Sequence, residues 1–130
     1  GKTYLSAFAV KKANPKRLLF LAHREQILKQ ACKTFAKIIP DIQYGILSAN
    51  HKDFRKPYLF ATINMLSKEE NLIQFTPTHF DYIIIDETHR AGASSYLKIL
   101  NYFQPQFLLG MTATPERTDG FDIYQYLTII

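Results

Sequence analysis

The sequence predicts an α/β fold, a mostly parallel sheet flanked by helices on both faces. Short apolar runs recur as Leu18-Leu19-Phe20-Leu21, Tyr58 to Thr62, Phe80 to Ile85 and Phe107 to Met111, each of a length that suits a buried strand. Between them lie segments whose apolar residues fall at helical spacing. Polar residues gather directly after the runs, as in His23-Arg24-Glu25, Asp86-Glu87 and Thr112-Ala113-Thr114. Alternating strands and crossover helices build a parallel sheet covered on both sides, and such sheets bind ligands beyond the carboxyl ends of their strands.

The elements follow in order. Thr3 to Ala13 reads as a helix with Tyr4, Leu5, Phe8 and Ala9 on one apolar side, ended by Asn14-Pro15. Arg17 to Ala22 is a strand. Arg24 to Ile39 has helical spacing through Ile27, Leu28, Ala31, Phe35 and Ile38, and Pro40 stops it. Tyr44 to Leu47 is a short strand, and residues 48–56 form a polar, basic loop. Tyr58 to Thr62 is the next strand, followed by a short helix from Ile63 to Ser67 or a little beyond. After Thr76-Pro77, Phe80 to Ile85 is the clearest strand. Residues 94–103 suit a helix carrying Tyr96, Leu97, Leu100 and Phe103, and Phe107 to Met111 is the strand after it. Pro115 to Gly120 breaks the pattern, which leaves 121–130 as a last strand or a connection.

At 130 residues with 47% apolar content the chain fits one domain with one substantial core. No apolar stretch is long enough to span a membrane, and the residues after Lys2 lack the small-residue cleavage site of a signal peptide. Cys32 is alone, which rules out an internal disulfide and marks a core or half-buried thiol in a reducing compartment. The net charge of +5 favours polyanions. Lys11, Lys12, Lys16 and Arg17 form one basic group, and Lys52, Arg55 and Lys56 another; each is either a nucleic-acid contact or a solvated surface. His23, His51 and His79 have no metal-ligand spacing with Cys32, and His79 reads as a loop residue.

Two segments carry chemistry. Gly1-Lys2-Thr3 reads as the end of a phosphate-binding loop, whose full pattern is a glycine, four residues and then Gly-Lys-Thr or Gly-Lys-Ser and whose backbone N–H groups and helix N-terminus wrap a polyanion; the alternative is a chance match of three residues. Lys2 would reach the terminal phosphates, and Thr3 would offer its hydroxyl to magnesium. Asp86 closes a buried apolar strand, where a lone carboxylate is costly to keep in the core. At the sheet rim it can bind magnesium, while the adjacent Glu87 orients or deprotonates water. The bland alternative for the acidic pair is a helix cap or turn.

Gly1-Lys2-Thr3, Asp86-Glu87-Thr88-His89 and Thr112-Ala113-Thr114 resemble motifs I, II and III of superfamily-two helicases and translocases of the DEAD/DEAH-box type. The segment Gly110 to Arg117 strengthens the resemblance, which is closest to the bacterial branch related to restriction-enzyme motor subunits. It covers nearly the whole chain. It implies a RecA-like P-loop domain, the first of two motor domains, lacking its first strand and most of the phosphate loop. Residues 1–120 would be this partial domain and 121–130 the terminal strand or connection. Thr88 stands where the family more often has alanine, a small change that should leave the motif working.

By this resemblance Gly1, Lys2 and Thr3 would bind ATP, Thr3 and Asp86 would hold Mg2+, and Glu87 would activate water. His89 would link the nucleotide site to Thr112 and Thr114. Arg24 and Thr62 sit at the family's backbone-contact motifs and are candidates for nucleic-acid contact, which is sequence-independent when made to phosphates. The implied partners are nucleic acid, DNA before RNA, and a second RecA-like domain in the same full-length chain; the implied location is cytoplasmic. Residues 1–130 alone should have negligible ATPase activity. The competing expectation is a nucleic-acid-binding or structural module whose ATP motifs are unused.

Overall fold

A computed structural model of the chain describes residues 2–86, 94–111 and, as backbone only, 128–129. The described chain runs α1 (Lys2–Ala13), β1 (Leu18–Ala22), α2 (Glu25–Ile38), β2 (Tyr44–Leu47), β3 (Tyr58–Thr62), α3 (Ile63–Leu66), α4 (Glu69–Leu72), β4 (Tyr82–Asp86), α5 (Ser94–Tyr102), β5 (Phe107–Met111) and β6 (Thr128–Ile129). The strands form one six-stranded sheet in the order β2-β3-β1-β4-β5-β6. All pairings between these strands are parallel. The short apolar runs are therefore central strands: β1 and β3 are buried at all five positions.

Because successive side chains of a strand point to opposite faces, the sheet separates two cores. Leu18, Phe20 and Ala22 of β1 join Tyr58 and Phe60 of β3 and Ile84 of β4 under α1 and α2. Leu19, Leu21, Leu59, Ala61, Ile83 and Ile85 face the other way, toward α3, α4 and α5 with Phe75, Phe80 and Phe103. On the first face Phe35 of α2 sets its ring edge-on to Phe20 and Phe60, with centroids 5.8 and 5.4 Å away. Cys32 lies in the same core, 3% exposed, and burial pushes its thiol up to about 12, so it packs as a small apolar group.

Helix α1 departs from the apolar face expected of it. Ser6, Ala7 and Val10 are buried, whereas Tyr4, Leu5 and Phe8 are exposed and Ala9 is half-buried. Small residues on the inward side allow the helix to lie close against α2 and β5. The one polar residue buried there, Ser6, donates to Thr3 O at 2.8 Å and satisfies its hydroxyl within its own helix. The helix ends at Asn14, whose φ of 51° places it in the left-handed region, with its N–H donated to Val10 O at 2.7 Å.

The starts of β1 and β4 are tied by Asp81, whose carboxylate accepts from the backbone N–H groups of Lys16 and Arg17, each at 3.0 Å. A groove of about 610 Å³ at this end is lined by Lys16, Arg17, Asp81, Tyr82 and Phe107 among others. This is the amino end of the strands, so Lys16 and Arg17, from the first basic group, stand at the pole opposite Asp86. Arg17 also donates from Nε to His79 O, and the His79 ring packs on Phe75 and Phe80.

At the other edge the 48–53 loop folds back along β2. Leu47 and Lys52 form an antiparallel bridge, and Asp53 N donates to Ile46 O at 3.2 Å. This covers an edge that would otherwise offer unpaired backbone groups. Gly45 admits the loop: a Cβ there would lie 2.6 Å from the Asp53 carboxylate. Glu25 fastens the same loop to the start of α2. Its carboxylate accepts from Ser48 Oγ and from Asn50 Nδ2 at 3.3 Å, and it pairs with Lys29 at 3.2 Å. The hydrogen bond from Ser48, followed by that from Lys29, holds the Glu25 carboxyl below its ordinary range.

Two outcomes follow from this packing. Phe35→Ala should destabilise the protein by about 3–5 kcal/mol, read as a lower denaturant midpoint with an unchanged slope. Glu25 is a depressed carboxyl, so its contribution is present above the unfolded value and is lost as pH falls through the lower folded value. Melting temperatures measured across the acid range should therefore converge for the parent and Glu25→Gln at low pH, with the parent higher near neutrality.

Candidate nucleotide and nucleic-acid site

Parallel strands bring their carboxyl ends to one rim, and the register shows which residues meet there. Ala22 pairs with Thr62, Leu21 with Ile85, and Asp86 with Met111. Thr62, Ala22, Asp86 and Met111 thus form one row across four neighbouring strands. At the usual strand spacing of about 4.8 Å, Thr62 and Asp86 stand about 10 Å apart across this row. The row is where the chain leaves β3, β1, β4 and β5.

Asp86 is half-buried at the end of β4. Burial raises its carboxyl above the ordinary range, and the Lys2 charge works against that shift. Residues 84 positions apart in sequence are therefore electrostatic neighbours. Lys2 and Thr3 occupy the first turn of α1, where backbone N–H groups lack intrahelical acceptors, and both are partly exposed. A carboxylate oxygen and a threonine hydroxyl are the hard oxygen donors that suit a small divalent cation, and a partly desolvated Asp86 beside an ammonium group fits that set.

Arg24 immediately precedes α2 in extended conformation, with φ −128° and ψ 143°. Its carbonyl accepts from Ile27 and Leu28 N–H at 3.1 and 3.3 Å, while its side chain makes no capping hydrogen bond and is exposed. The guanidinium thus stands free of the cap at the rim. Thr62 is placed differently: it is 7% exposed, and its hydroxyl accepts from Met65 N–H at 3.4 Å, capping α3. Its side chain meets the short helix rather than the surface, and the exposed residue of that turn is Asn64. Gly1, Glu87, His89, Thr112 and Thr114 lie outside the described residues.

The fold also joins residues that the sequence does not connect. His23, between β1 and the cap residue of α2, has its Nε2 3.4 Å from the Tyr96 hydroxyl of α5, and the two rings meet edge-on. Burial, followed by the neighbouring Arg24 charge, lowers the His23 pKa and favours the neutral ring. The second contact is the Glu25 cluster, which adds His51 Nε2 at 3.7 Å and places the β2 loop beside Arg24. Neither has a local signature, because 73 and about 25 residues separate the partners.

Residues 1–117 match the family model of the type III restriction enzyme res subunit. The chain is 30% identical to a Schizosaccharomyces pombe protein that carries the name of a mitochondrial ATP-dependent helicase, irc3, over 92% of this chain and 22% of that relative. It is 32% identical to the type I restriction enzyme EcoAI endonuclease subunit of Escherichia coli, over 91% of this chain and 16% of the relative. Among solved structures, a nuclease-deletion mutant of the type ISP restriction-modification enzyme LlaGI with a DNA substrate mimic superposes with a TM-score of 0.69. That match has 18% identity and covers 99% of this chain and 14% of LlaGI. The Sulfolobus solfataricus SWI2/SNF2 ATPase core with double-stranded DNA gives 0.67 and 16%, over 94% of this chain and 26% of that core. The chain spans about a fifth of the length of the curated relatives it matches. Together with the parallel sheet, the match places this chain in the type III restriction enzyme res-subunit family, as a RecA-like superfamily-two helicase domain related to restriction-enzyme motor subunits.

Proposed function

We propose that the whole protein is an ATP-dependent translocase or helicase acting on DNA, and that this chain is the first of its two RecA-like motor domains. The observation that carries the reading is the place of Asp86, a half-buried carboxylate closing the central strand β4 at the carboxyl rim of the sheet, within reach of the Lys2 charge at the start of α1. A phosphate-binding lysine and a metal-binding carboxylate serve one triphosphate when both stand at such a rim. The names of the relatives point the same way, toward helicases and restriction-enzyme motors.

In this mechanism Gly1 and the start of α1 receive the phosphates, and Lys2 neutralises their charge as a flexible point cation. Thr3 and Asp86 would hold Mg2+, which when bound offsets the negative charge of the phosphates. Glu87, next to Asp86 in sequence, orients water and accepts its proton as the terminal phosphate leaves. The hydroxyls of Thr112 and Thr114, with His89, relay the nucleotide state toward the surface that carries Arg24. Arg24 pairs with a nucleic-acid phosphate, and the turn capped by Thr62 contributes from its backbone side. An arginine of the second motor domain supplies the remaining transition-state charge.

In the full-length protein, Glu87→Gln should lower nucleic-acid-stimulated ATP hydrolysis about 10²- to 10⁴-fold with nucleotide binding retained. Unchanged turnover would favour a nucleic-acid-binding or structural module that does not hydrolyse ATP. Lys2→Ala should remove both tight nucleotide binding and hydrolysis, because the charge that meets the phosphates is lost. Equilibrium binding of a fluorescent ATP analogue, set beside phosphate release, separates the two variants.

A further inference from the structure

His23 is the single residue between the end of β1 and Arg24, the residue that caps α2. Its ring leans on Tyr96, which is fully buried as the third residue of α5. Helix α5 is joined to β4 by residues 87–93, the segment that follows Asp86 and holds Glu87. Two parts of the rim that lie far apart in sequence thus touch through one pair of side chains, with Nε2 3.4 Å from the tyrosine hydroxyl. A neutral imidazole with an unprotonated Nε2 accepts from that hydroxyl, and a buried tyrosine O–H gains from such an acceptor.

The geometry is constraining as well as local. The backbone carbonyl of Arg24 already accepts from Ile27 and Leu28, so the residue cannot shift without disturbing the first turn of α2. On the strand side, Ala22 is fixed in register with Thr62. His23 is held between these two anchors, and its side chain is the link from them to α5. We propose that His23 is a positioning residue: through the Tyr96 hydroxyl it sets Arg24 relative to α5, and so couples nucleic-acid contact at Arg24 to the nucleotide end of β4. This rests on the motor reading above. Coupling of this kind is reciprocal, so nucleotide binding changes affinity for DNA by the same factor as DNA changes affinity for nucleotide.

The test uses the full-length protein and ATP hydrolysis measured with and without duplex or single-stranded DNA. His23→Phe and Tyr96→Phe both keep an aromatic ring and delete one side of the polar contact. Each should raise the DNA concentration for half-maximal stimulation about fivefold or more, with DNA-free hydrolysis and melting temperature unchanged. In a Tyr96→Phe background, His23→Phe should add no further loss, because the contact between the two is already gone. His23→Gln, whose carboxamide extends as far as Nε2, should recover most of the stimulation. Additive losses, parent-like stimulation in both single variants, or a parallel fall in DNA-free hydrolysis and melting temperature would each overturn the proposal. A parent whose hydrolysis ignores DNA overturns the motor reading itself, whereas a stimulated parent with additive variants overturns only the role of His23.

Discussion

Strands β1, β3 and β4 carry apolar side chains on both of their faces, so neither side of the sheet can be left to water. Helices must cover both, and a parallel strand order requires each connection to cross over the sheet to start the next strand. Every strand then ends at the same pole. That requirement brings Arg24, Thr62 and Asp86 to one rim although 62 positions separate the first from the last. The same rule sends the starts of the strands, with Lys16, Arg17 and Asp81, to the far pole. The division of the surface into a rim that gathers Arg24, Thr62 and Asp86 and a base with structural ties is thus a result of core burial.

Most of the fold is legible in the sequence because it is written in apolar runs. The strands at 44–47, 58–62 and 107–111 coincide with those runs, and α2 buries Leu28, Ala31, Phe35 and Ile38 as its spacing implies. Helix α1 is the exception. Its apolar residues are distributed around the helix, so periodicity alone does not choose a side, and bulk misleads. Close approach to α2 and β5 selects Ser6 and Ala7 for the inward face because they are small, a criterion that hydrophobicity does not encode. Strand β4 shifts by two residues from the run at Phe80, since Phe80 and Asp81 belong to the turn that ties the base of the sheet.

The site divides in the same way. Asp86 is recognisable because a carboxylate closing an apolar strand has few structural uses, and its placement at the rim follows from the strand it ends. The nearness of Lys2 to it follows from topology, which the alternating pattern implies. Thr62 is ambiguous by position: a threonine after a strand is equally suited to capping a helix, and here the cap takes its hydroxyl. The contacts of His23 with Tyr96, and of Glu25 with Ser48 and Asn50, depend on side-chain reach between distant elements. Such contacts leave no trace in spacing.

Cys32 has a practical consequence beyond its packing. The thiol is the one cysteine in these 130 residues and sits on the inward face of α2 with its proton held tightly by burial. Thiol reagents attack the deprotonated, accessible sulfur, so labelling must wait for α2 to lift from the sheet. The rate of modification therefore clocks the opening of this helix, the one that begins beside Arg24. The molecule carries its own reporter of how firmly α2, and with it the Arg24 end of the rim, is anchored to the sheet beneath it.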